Sequence, residues 1–148
     1  MDHIAYMKKS WKLIPKILSG EKTIESRWYM HKINPWNTIK ENDFIYFKNG
    51  GEPITAQAQV VKVIQFEHYT ISQLKTILEQ YGGNPGICFP DINQSFYILK
   101  QKNYAILIFL KKATAVEPFE IDKTGYGSAC AWICVEDINS IKTMKKEQ

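Results

Sequence analysis

Apolar and polar positions change their period several times along the chain, and each change predicts an element. Residues Ile4 to Lys8 read as a short opening strand. After it Trp11, Ile14, Ile17 and Leu18 fall at helical spacing, so a helix capped by Ser10 and stopped by Gly20 is expected. Pro15 interrupts that helix because it has no N–H to give, leaving the first turn kinked or non-α-helical and the regular helix starting near Pro15. Thr23 to Tyr29 then alternates as a strand, which places Thr23, Glu25 and Arg27 on one face and Ile24, Ser26 and Trp28 on the other. Met30 to Asn42 has no period, and Asn34-Pro35-Trp36-Asn37 marks a turn. Asp43 to Lys48 and Thr55 to Ile64 follow as two strands of an antiparallel hairpin around residues 49–53.

The second half returns to helical spacing. Thr70 and Gln73 form a capping-box pattern ahead of Ile71, Leu74, Ile77 and Leu78, predicting a helix over Thr70 to Tyr81 that ends at Gly82-Gly83. A second helix is expected from about Asp91 to Lys100, with Ile92, Phe96 and Leu99 turned inward. Tyr104 to Leu110 and Ala129 to Val135 are apolar on both faces, as strands covered on each side are. Lys142 to Gln148 reads as a solvated end. Strands and helices in this order describe an α+β domain.

Composition narrows the class. The 148 residues fit one domain spanning 1–148, with 45% hydrophobic, 13% aromatic and 23% charged residues, an ordinary globular balance rich in aromatic rings. The longest apolar run, Tyr104 to Leu110, is far too short for a membrane helix, and the N-terminus lacks a signal peptide's apolar segment, so a soluble cytoplasmic protein is expected. Cys88, Cys130 and Cys134 leave one cysteine over in any pairing, which points to free thiols in a reducing compartment, packed in the core. His3, His31 and His68 form no ligand pair, so no metal and no cofactor are expected. A net charge of +4 permits a polyanionic partner without requiring one, and oligomeric state is left open.

Chemistry concentrates between Gly20 and Arg27. Arg27 is the one arginine in a chain otherwise charged by lysine, and only a guanidinium holds a carboxylate, phosphate or base edge in two parallel hydrogen bonds. Gly20 turns the chain from helix to strand, so Lys22 is expected at the rim of a cleft into which Glu25 and Arg27 project, with Thr23 the nearest hydroxyl. Structural readings stand beside these: Glu25 and Arg27 as an ion pair, Lys22 as a solvated turn lysine. Lys8, Lys9, Lys12 and Lys16 cluster around the same helix, either as a basic rim or as its solvated face.

The run Gly20-Glu21-Lys22-Thr23-Ile24-Glu25-Ser26-Arg27 fills every fixed position of G-x-K-x-x-E-x-R, and there the chain resembles the ASCH family. The resemblance extends through Asn42-Asp43-Phe44-Ile45, and again through Pro118 to Lys123, Gly125-Tyr126-Gly127 and Ala131-Trp132. It implies a PUA-like fold: an incomplete β-barrel of about five to seven mostly antiparallel strands, with the motif helix between the first two strands and a helical pair inserted over residues 70–102. RNA or a nucleoside-type small molecule is the ligand class it implies, with ribonuclease activity ascribed to some members. One related branch hydrolyses acylated cytidines and looks like G-x-K-T-x-T-x-R. Lys22 matches its catalytic lysine, whereas Glu25 stands where its nucleophilic threonine would be, favouring a general base over covalent acyl transfer. Lys22 and Glu25 are thus the candidate catalytic pair. Lys22, Thr23, Glu25 and Arg27 are the polar ligand contacts, with Trp36 in its polar loop and Tyr126 as rings to stack on a base. Trp28 and Trp132 are assigned to packing. Three functions follow: a binder of RNA or a nucleobase ligand, a hydrolase in the same cleft, or a protein-interaction module.

Overall fold

The structure is a computed structural model that describes residues 1–127 and 130–143. Strand β1 (Asp2–Met7) is followed by α1 (Leu13–Ser19), β2 (Ile24–Tyr29), β3 (Phe44–Asn49), β4 (Ile54–Glu67), α2 (Ile71–Tyr81), α3 (Ile92–Leu99), β5 (Tyr104–Ile121), β6 (Trp132–Val135) and β7 (Lys142–Thr143). The strands form one curled sheet in the order β2-β5-β4-β3-β1-β6, with β7 added to the far end of β5. Pairing is antiparallel throughout except between β1 and β3, which are parallel and register Ile4 with Tyr46. Parallel neighbours need a crossover, and α1 and β2 lie within it. The result is the expected α+β half-barrel with its motif helix between the first two strands.

Curvature comes from the long pair β4 and β5, whose register slips at three places between Ile54 and Lys62. Each slip inserts an unpaired residue and bends the strand, which lets one ribbon serve both halves of the barrel. The main core fills the concave side: Leu13, Ile14 and Ile17 of α1 meet Ala5, Met7, Ile45, Phe47, Ala56, Ala58, Val60, Ile106 and Ile108. A second apolar cluster forms where Ile24 and Leu107 meet Ile77 of α2 and Ile87 of the loop after it. The capping box of α2 is made in full, Gln73 N–H donating to Thr70 Oγ1 at 3.1 Å and Thr70 N–H to Gln73 Oε1 at 2.7 Å. Among the described residues, no helix is long and apolar enough to cross a membrane.

Several expectations need correction. The first helix is two pieces, a 3-10 turn over Lys9–Trp11 and α1 proper, joined at Lys12 in the left-handed region (φ 54°). Ser10 therefore caps nothing, and the inward face of α1 is Leu13, Ile14 and Ile17, while Trp11 is 42% exposed and Leu18 also lies outside. Pro15 causes this: in the first turn of α1 its missing N–H has no helical partner to lose. Ile92 is 40% exposed because α3 buries only Leu99 fully. The strand expected to end at Leu110 runs on to Ile121, and Lys142–Thr143 pair with Glu120–Ile121 instead of fraying. Cys130 precedes β6, whereas Cys134 lies within it beside His3. Ala129 and residues 144–148 lie outside the described residues.

Candidate functional site

Gly20 ends α1 in the left-handed conformation (φ 86°), and its N–H returns to Ile17 O. Lys22 N–H then donates to Lys16 O at 2.9 Å, fixing a tight turn into β2. The loop after α2 runs parallel to this turn: Gly86 O accepts from Thr23 N–H at 3.0 Å and from Ile24 N–H at 3.2 Å. Only glycine fits at residue 86, where an added Cβ would lie 2.4 Å from Tyr81 O. Lys22 is thereby roofed over. It is 2% exposed, and its Nζ donates to Ile24 O at 2.7 Å and to Ile87 O at 2.8 Å. The lysine expected at a rim is buried inside it.

β2 is an edge strand, and its free edge is closed by the chain's own groups. Ile24 uses its N–H on Gly86 and its carbonyl on Lys22, and Ser26 N–H donates to Glu25 Oε1 at 2.9 Å. Beyond that point the edge opens on a cavity of about 370 Å³. Five consecutive residues, Glu25 to Tyr29, line it, which a strand with alternating faces does only where its edge is the wall. Tyr6 and Met7 of β1 form the opposite side, with Trp11 and Leu13 above, and Phe89, Ile98 and Leu99 supply the wall from the helical insertion.

Arg27 crosses the open seam of the barrel. Its Nη1 donates to Ala131 O at 3.2 Å and its Nη2 to Tyr6 O at 3.1 Å, and the guanidinium lies over the Trp132 ring, 5.0 Å from its centroid. The forked donor expected to grip a ligand is thus spent on two backbone carbonyls, tying β2 to β1 and to the approach to β6. Only Nε remains. It is buried without a hydrogen-bond partner, 3.8 Å from Glu25 Oε1, too far for a hydrogen bond between them. Glu25 is 4% exposed, and its Oε2 is also buried and unpartnered. A buried acceptor and a buried donor without partners on the wall of a cavity mark where a ligand's polar atoms belong. Burial lowers the Lys22 pKa; the Glu25 carboxylate and Cys88 oppose that shift, while Arg27 and Lys16 add to it. Burial likewise raises the Tyr29 phenol.

The cavity brings together Lys22, Glu25 and Arg27 of the sequence-predicted set and leaves the other three outside it. Thr23 contributes backbone, its N–H to Gly86 and its carbonyl to Leu110 N–H. Trp36 is half-buried against the main core, edge-on to Tyr104 with centroids 5.1 Å apart. Tyr126 is exposed in the loop after β5, and its neighbour Ser128 lies outside the described residues. Trp28, assigned to packing, does pack against Tyr69 and Phe89 but also lines the cavity. Cys88, Phe89, Ile98 and Leu99 were missed. The positive φ of Cys88 (62°) that seats it there leaves no mark on the sequence. Of the lysines around α1, Lys8 and Lys22 reach the cavity, and Lys9 pairs with Glu52 at 3.1 Å. Among the described residues no cluster of histidine, cysteine and carboxylate side chains is arranged to hold a metal.

No family model matches the chain, and no curated protein matches it significantly. Solved structures do. ASCH from Zymomonas mobilis is 12% identical, covering 96% of this chain and 96% of its own, with a TM-score of 0.67. A single-substitution variant of that protein is 13% identical with a TM-score of 0.67, covering 94% of this chain and 91% of its own. The hypothetical protein PH0355 is 18% identical with a TM-score of 0.52, over 78% of this chain and 100% of its own. The fold is therefore the ASCH fold, a curled half-barrel with three helices, over nearly the full chain.

Proposed function

We propose that the cavity binds a nucleobase-type ligand, as a free nucleoside or as an unpaired base of RNA. The observation that carries this reading is the unpartnered pair Glu25 Oε2 and Arg27 Nε beside Lys22, on a cavity walled by Trp28, Tyr29 and Phe89. A base offers donors and acceptors along one flat edge and an apolar face on each side, which matches polar atoms at one wall and aromatic rings at the others. A volume near 370 Å³ accommodates a ligand of that size. Lys8 and Lys102 on its lining supply positive charge for a phosphate backbone. A cytoplasmic setting goes with this reading and is supported by three free thiols. Hydrolysis in the same cavity is the second reading, favoured by a buried lysine and a carboxylate on one wall.

Incubation with labelled single-stranded RNA and with acylated cytidine separates the two. Retention without cleavage supports binding, product formation supports catalysis, and neither result leaves an interaction module. Glu25→Gln is expected to weaken retention by roughly 10- to 100-fold, the loss of one charged hydrogen bond. Log affinity should fall against log salt with a slope of about 0.7 per phosphate neutralised. Retention unaffected by Glu25→Gln would place the RNA elsewhere.

A further inference from the structure

Lys22 has a geometry that its role as a ligand contact does not require. Two backbone carbonyls, Ile24 O at 2.7 Å and Ile87 O at 2.8 Å, take two of its hydrogens. A neutral amine has two hydrogens and one lone pair, so these acceptors satisfy it completely and leave the lone pair for the cavity that Lys22 lines. At 2% exposure an ammonium is stripped of water, and the resulting fall in pKa favours the neutral form. On the same wall Glu25 Oε2 is an unpartnered proton acceptor and Arg27 Nε an unpartnered donor.

We propose that Lys22 is an amine nucleophile that condenses with the carbonyl of a small aldehyde bearing an aromatic body, forming a Schiff base inside the cavity. The Nζ lone pair attacks the carbonyl carbon, a C–N bond forms, and the C=O π electrons move to oxygen, where Arg27 Nε–H meets the developing charge. The Glu25 carboxylate takes a proton from Nζ and delivers it to that oxygen, giving the carbinolamine. A second N–H proton follows the same route as the C–O bond breaks, so one amine and one aldehyde give one imine and one water with no change of oxidation state. The rings of Trp28 and Phe89 and the side chains of Ile98 and Leu99 hold the aromatic body.

Reductive trapping tests this. The folded protein is incubated with benzaldehyde and sodium cyanoborohydride at pH 7.5, and the benzylated lysines are located by peptide mass mapping. Lys22 is expected to be modified more than about tenfold faster than exposed lysines such as Lys62 and Lys75, because an ordinary lysine is neutral only about one time in a thousand at that pH. In urea the preference should vanish. Glu25→Gln, which keeps the amine, should slow labelling of Lys22 and of no other lysine. Any map of the folded wild-type protein in which Lys22 is not the preferred site overturns the proposal, without recourse to a variant that fails to fold. The outcome is separate from the nucleobase reading, since RNA retention without Lys22 labelling defeats this inference and labelling without retention defeats that one.

Discussion

At the scale of single residues, Lys22 shows how a site lysine is also a structural one. Replacing it by methionine keeps much of its volume and leaves Ile24 O and Ile87 O buried without a donor. We expect Lys22→Met to lower the unfolding free energy by about 2 to 4 kcal/mol, from one to two orphaned carbonyls, as measured by urea denaturation. Loss of function in Lys22→Ala is therefore uninformative unless stability is followed with it. The pH dependence gives a second readout. With its folded pKa below the ordinary 10.5, Lys22 binds fewer protons folded than unfolded between those two values. Stability then rises with pH through that window, and Lys22→Met should lack the rise. Glu25 and Lys22 were legible from their spacing after Gly20. Their burial was not, because the loop that roofs them arrives some sixty residues later, with Gly86.

At the scale of elements, local signals were most reliable where the determinant is local. The capping box at Thr70 and the glycine stop at Gly20 act through neighbouring backbone groups, and both stand as expected. Contacts between strands carried less trace. His3 is fully buried in β1, where its Nε2 lies 2.8 Å from Asp43 Oδ2 before β3 and its Nδ1 accepts from Trp132 Nε1–H of β6 at 3.0 Å. With Nδ1 accepting, Nε2 carries the ring's proton, and the ring joins three strands in its neutral form. Burial lowers its pKa below 6.5 despite Asp43. Below 6.5 the unfolded chain takes up a proton that folded His3 refuses, so stability falls as pH drops from 6.5 towards the folded value. The slope is at most about 1.4 kcal/mol per pH unit. Urea midpoints between pH 7 and pH 5 should show this fall, and His3→Gln should flatten it. An unchanged slope in the variant would assign the acid sensitivity to other groups.

At the scale of the whole molecule, Arg27 closes the half-barrel. The sheet leaves β2 at one end, and the fork of Arg27 spans from it to Tyr6 O and Ala131 O across the seam. Arg27→Lys keeps the charge but cannot reach both carbonyls from one ammonium. It should cost about 1 to 3 kcal/mol and quicken amide hydrogen exchange along β1 and β6 more than along β4, read by mass spectrometry. Equal exchange in all strands would show that the seam is held by packing alone. The chain by itself determined its periods, its caps and stops, the α+β class and the motif from Gly20 to Arg27, since each depends on residues a few positions apart. Only the tertiary structure decided which of those side chains face a ligand, that Trp28 and the helical insertion wall the cavity, and that Trp36 and Tyr126 do not. Those outcomes depend on where Gly86, Phe89 and Leu99 are carried by the fold, and contacts between distant segments have no periodicity along the chain to announce them.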